Sequence, residues 1–360
     1  MPVLDDLVAV LADRTDPGAY PHADAVEQEV LVYSADGVRA APPSELARAF
    51  ADGPGVVVVR GALDPAVVGR ATVEFDAMVA EQHAEGRQVG DHFAAPGTND
   101  RVWNALEKLA VRAPEVFVDY YASDVLALVA LAWLGPGYQV TSQVNVVHPG
   151  GTAQVGHRDY HLGFLPPTEI VRYPAHVHRL SPVLTLQGAV AHADMPVESG
   201  PTLYLPHSQK YGDGYLATGL PEFAEHFERH HVQLPLAVGD AAFFNPAVIH
   251  GAGTNRTADV RRTANLLQIS SAFGRAMESV DRARICRAVY PHLRPAGHEH
   301  AIAAAAEGYA FPTNLDRDPP VDGLAPPSQA DLVRRAVAEG WDGPAFEAAL
   351  AEHTTRRETH

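Results

Sequence analysis

The chain has 360 residues, of which 46% are hydrophobic and 20% charged, enough for one large domain or two modest ones with ample core. Lys and Arg total 27 against 44 Asp and Glu, a formal net charge of −17 that repels phosphate backbones and anionic bilayers. The composition therefore argues against nucleic-acid or membrane partners, and a lone Cys286 excludes an internal disulfide and suits a reducing compartment.

The start, Met1-Pro2-Val3-Leu4-Asp5-Asp6, lacks the basic and apolar segments of a signal peptide. Gly55 to Gly61 is a β-branched run bracketed by glycines and reads as a buried strand. Asp64 and Pro65 then offer an N-cap and a first helical position. Val67, Val68, Ala71, Phe75, Met78 and Val79 recur at helical spacing, which predicts an amphipathic helix to about Ala84. Residues 101–111 and 122–134 read as two further helices. The apolar run Val125–Leu134 is too short to cross a bilayer, so a soluble, cytoplasmic protein is expected.

From Tyr138 the period changes to two. Strands are expected at 138–148, 153–160, 183–191, 202–206, 232–237, 241–244 and 263–270, separated by turn signals such as Gly150-Gly151 and Gly239-Asp240. Short strands in succession imply an antiparallel double-stranded β-helix, that is, a mainly β jelly roll with flanking helices. Helices return at about 275–290, 298–307 and 328–338, the last capped by Ser328, and Cys286 falls on the apolar side of the first. The chain reads as a single domain: N-terminal support to about 137, a jelly-roll core over 138–275, and a helical extension over 276–360.

Within that core, Gly156-His157-Arg158-Asp159-Tyr160-His161 places His157 and Asp159 two apart, on one face if the segment is extended. A distant His250 stands at an apolar strand end running into Gly251. Two histidines and one carboxylate with open positions opposite form the facial triad of non-haem Fe(II) oxygenases. The spacing alone is weak, since the chain has 19 histidines and His192-Ala193-Asp194 repeats it. Arg261, eleven residues beyond His250, adds a planar fork suited to a carboxylate. Together these features point to iron with 2-oxoglutarate and O2 as cosubstrates, acting on a small molecule.

These motifs resemble the phytanoyl-CoA dioxygenase family of Fe(II)/2-oxoglutarate oxygenases over about residues 50–275. The matching segments are the Gly55–Gly61 strand with its helix start, His148-Pro149-Gly150, the His157–His161 motif, Asp194 to Pro201, and Leu205-Pro206-His207-Ser208. Ser199 replaces the family's usual Asn, and His207 and Gln209 depart from its last turn. The resemblance implies a jelly roll with iron held by His157, Asp159 and His250, and 2-oxoglutarate held by Arg261. Arg262 is the rival, because Arg261, Thr263 and Asn265 share one strand face while Arg262, Leu266 and Gln268 share the other. A carboxylate at Asp159 favours hydroxylation or another oxidation, with release of succinate and CO2, over halogenation.

Further expected contacts are Gln143, Asn145 and Thr263 for the cosubstrate, and His161, Gln187 and Arg172 for substrate. Arg172 lies in a long insertion, Leu165–Ser181. A cupin-like dioxygenase or isomerase that does not use 2-oxoglutarate is the alternative.

Overall fold

In a computed structural model of the chain, described over residues 2–86 and 97–359, eight strands form one mixed sheet. In chain order the strands are β1 (Ala25–Glu27), β2 (Val30–Ser34), β3 (Val56–Arg60), β4 (Asn99–Val102), β5 (Gln139–Val147), β6 (Thr185–Ala191), β7 (Leu203–Leu205), β8 (Ala241–Phe244), β9 (Ile249–Gly251) and β10 (Arg262–Ser270). The large sheet runs β1-β2-β3-β8-β6-β10-β5-β4, and β7 pairs with β9 in a separate small one. Among the described strands only β2 and β3 pair in parallel. Strands from the first 137 residues are thus built into the same sheet as β5, β6, β8 and β10.

Alternation along these strands assigns the two faces. Val57, Val59, Val144, Val146, Leu186, Val190, Phe243, Leu267 and Ile269 point to one side, where helices bury them in the main core. Each such side chain stabilises the fold by about 1.5–3 kcal/mol on burial. The intervening positions face the other way, towards β7 and β9, and line a cavity. Register holds this division across strands: Gln268 pairs with Gln187, Leu266 with Ala189 and Gln143, and Ala264 with Ala191 and Asn145.

The expected mainly β chain is not what forms. Helices outweigh strands, from the 20-residue Pro65–Ala84 helix to Gly343–Arg357, because the whole apolar face of the large sheet needs covering. Asp64 does cap the first of these, accepting from the Ala66 amide, and Ser328 closes a capping box on Gln329–Glu339. Residues 101–111 split into β4 and a helix beginning at Ala105. The segment 153–160 makes a single bridge, His157 to His250, rather than a strand, and 232–237 likewise contributes only bridges. Among the described residues no single helix is long and apolar enough to cross a membrane. The Pro114–Tyr121 and Asp124–Leu134 helices, which together have the length and composition, are bent by 60° and pack into the main core.

Candidate metal centre and its cavity

His157 and His250 are brought face to face by the bridge between their backbones, whose two N–H···O bonds measure 2.9 and 3.0 Å. Each imidazole is oriented the same way. Nδ1 of His157 donates to the Val155 carbonyl at 2.8 Å and Nδ1 of His250 to the Val248 carbonyl at 2.9 Å. That tautomer leaves both Nε2 atoms as lone-pair donors. Asp159 sits between them, with Oδ1 3.6 Å from Nε2 of His157 and Oδ2 3.5 Å from Nε2 of His250. The three ligand atoms lie within 4.8 Å of one another, the spacing a single bound cation requires. Burial opposes ionisation of Asp159, while the Gln187 amide, donating to it at 2.6 Å, favours the carboxylate.

The residue between the ligands fixes the loop. Arg158 is buried and donates to the carbonyls of Ser208 and Tyr211, with its guanidinium 5.3 Å from the Tyr215 ring centre. Tyr215 returns the contact, its hydroxyl donating to the carbonyls of Asp159 and Tyr160. Gly214 is required where the guanidinium passes, since a Cβ there would lie 1.8 Å from Cζ of Arg158. Tyr160, at φ 37°, turns the chain out of the motif.

The triad opens on a cavity of about 670 Å³. Arg262 lines it, 6% exposed, donating to the carbonyls of Gly253 at 3.2 Å and Ser199 at 3.4 Å. Burial pushes its pKa down to about 10. Gln143, Asn145 and Gln187 line it too. The amide oxygens of Asn145, Gln187 and Gln268 are buried there without protein partners, a set of polar sites that a bound polar ligand would satisfy.

Arg261 is corrected by the geometry. Its side chain is 49% exposed and pairs with Asp76 at 3.5 Å, off the cavity. Thr263 follows it to the far face, and Asn265 there meets the hydroxyls of Tyr120 and Tyr121. The odd-numbered positions of β10 are the ones the helices cover. His161 does not line the cavity; burial lowers the pKa of its imidazole, which packs on Tyr160. Arg172 is 72% exposed, pairs with Glu169 and stays outside. From that part of the chain it is Phe164 that reaches the cavity. His192 and Asp194 diverge, the former bonded to Thr72 and Tyr120, the latter to the Val238 amide.

Arg101 does not stand out in the sequence, because the apolar spacing over 101–111 suggests a helix where β4 forms. It stands opposite Asn145, 7% exposed, and lines the cavity. Its guanidinium donates to Gln143 at 3.2 Å and lies 5.0 Å from the Trp103 ring centre.

A large sheet facing a two-stranded one, with a His–Asp–His cluster and a buried arginine in the space between, defines a candidate mononuclear metal protein of the facial-triad kind. The phytanoyl-CoA dioxygenase (PhyH) family model matches residues 51–263, and the chain belongs to that family. No curated protein matches the sequence. Among solved structures the chain is similar to the non-heme alpha ketoglutarate dependent carbocyclase SnoK from nogalamycin biosynthesis, at 20% identity and a TM-score of 0.49, over 65% of this chain and 86% of that one. It is also similar to the non-heme alpha ketoglutarate dependent epimerase SnoN from the same biosynthesis, at 20% identity and a TM-score of 0.43, over 64% and 83%.

Proposed function

We propose that the protein is an Fe(II)/2-oxoglutarate-dependent oxygenase with a double-stranded β-helix core that oxidises a small organic molecule. The observation that carries this reading is the convergence of His157, Asp159 and His250 in a cavity that also holds the buried guanidinium of Arg262. When bound, iron and 2-oxoglutarate supply oxygen activation coupled to oxidative decarboxylation, with release of succinate and CO2. The chain's own residues prepare that site. The Val155 and Val248 carbonyls hold both imidazoles in the ligating tautomer, and Gln187 orients the Asp159 carboxylate.

Arg262 is the residue for the distal carboxylate of the diacid, in a setting where burial strengthens a charge-assisted bond. Asn145, Gln143 and Arg101 offer polar groups from the neighbouring strands. Asp159 fills the ligand position a halide would need, which supports hydroxylation or a related oxidation over halogenation. The test is oxygen-dependent conversion of 2-oxoglutarate to succinate by the iron-loaded protein. Iron binding without any succinate would favour the cupin-like alternative.

A further inference from the structure

Three large hydrophobic side chains that line the cavity are also open to solvent: Val155 at 70%, Phe164 at 49% and Met277 at 38%. Single exposed apolar residues are ordinary, but several that also line one cavity mark a binding surface. All three adjoin the functional residues. Val155 carries the carbonyl that orients His157, Phe164 packs 5.0 Å from the Tyr160 ring, and the Met277 sulfur accepts from Gln143 at 3.2 Å. Deeper in, Leu234, Leu236 and Phe244 continue the apolar wall.

Charge is placed differently. Among the described residues no lysine lines the cavity, and the two arginines that do, Arg101 and Arg262, are both buried. The volume of about 670 Å³ falls within the range of sites for drug-sized ligands, well beyond what a five-carbon diacid fills.

We propose that Val155, Phe164 and Met277 form a rim that seats the neutral, apolar body of the substrate, with the carbon to be oxidised held inside beside the triad. The proposal rests on reading the cavity as an oxidation site, and it names the substrate class. A coenzyme A thioester does not suit such a rim, because its phosphates would meet apolar side chains instead of cations.

The test is equilibrium dialysis under nitrogen, with protein saturated in Fe(II) and 2-oxoglutarate. The probes are dehydroepiandrosterone, its sulfate, dodecanol and octanoyl-CoA. At least one neutral probe should bind saturably, and the sulfate should bind at least about tenfold more weakly than its neutral parent. Phe164→Ala should weaken the neutral probe by about tenfold, in line with loss of a large apolar contact. Phe164→Leu should retain most of the affinity, and Met277→Gln should weaken it while circular dichroism stays unchanged.

Failure of both neutral probes to bind overturns the proposal. So does binding of the sulfate or the thioester as tightly as the neutral probes, or indifference to Phe164→Ala and Met277→Gln. The visible band of the Fe(II)·2-oxoglutarate complex is read in the same samples. Probe binding without that band sinks the cofactor reading and leaves the rim standing; the band without neutral binding does the reverse.

Discussion

Replacing Arg262 by Ala should cripple binding of 2-oxoglutarate, whereas replacing its neighbour Arg261 should not. Arg262 is 6% exposed and spends its hydrogen bonds on two carbonyls at 3.2 and 3.4 Å, so its charge faces the cavity without a paired carboxylate among those contacts. A hydrogen bond to a charged group contributes about 1.5–3 kcal/mol. A fork making two of them to one carboxylate is therefore worth about 3 kcal/mol or more, on the order of a hundredfold in Kd. Arg262→Lys keeps the charge but loses the fork, and should recover part of that loss.

Arg261, half in solvent with Asp76 at 3.5 Å, belongs to a class of ion pairs worth about 0–1 kcal/mol to stability. Arg261→Ala should leave cosubstrate affinity within about twofold, well inside that range. The assay is an anaerobic titration of Fe(II)-loaded protein with 2-oxoglutarate, followed by the charge-transfer band. A large loss with Arg261→Ala and none with Arg262→Ala would refute the assignment of faces on β10.

Gln187→Ala removes the amide that bonds Asp159 at 2.6 Å and should weaken Fe(II) binding by about 10–100-fold, measured by competition with a chelator. Unchanged affinity would mean the amide is not an orienting group. Acid stability should depend on His192, whose pKa burial drives from 6.5 down to about 3. Nδ1 donates to Thr72, whose own hydroxyl is committed to the Val68 carbonyl, and Nε2 accepts from Tyr120, an arrangement that suits the neutral ring. The unfolded chain takes up this proton near 6.5 and the folded protein only near 3, so the stabilisation is complete above 6.5 and lost as pH falls through that window. The slope is about 1.4 kcal/mol per pH unit for one proton. His192→Gln should flatten it in urea unfolding, and identical slopes for both proteins would contradict the account.

The metal cluster was legible because it is local in two senses. His157 and Asp159 are two residues apart, and His250 stands at a strand end beside a glycine. What the spacing could not reveal is how the loop is held. A buried Arg158 threaded past Gly214 depends on a segment some fifty residues away. The two faces of β10 were also legible, but not which one looks inward. That depends on Tyr120 and Tyr121, whose helix meets Asn265 and claims the odd positions.

β4 escaped notice because Asn99, Asp100 and Arg101 are poor strand formers, held extended by pairing with β5, while Leu106 and Leu109 just beyond suggest a helix. The Gly343–Arg357 helix was missed for a related reason. It buries few side chains, chiefly Phe346 and Leu350, too sparse a stripe to show in the pattern.

Metal content measured after anaerobic reconstitution with Fe(II) tests the central claim most directly. The wild-type protein should hold one iron per chain, and His157→Ala, Asp159→Ala and His250→Ala should each lose it while remaining folded by circular dichroism. Stoichiometric, tightly held iron in the His250→Ala protein would contradict the account, since the cation would then be bound somewhere other than between these three side chains.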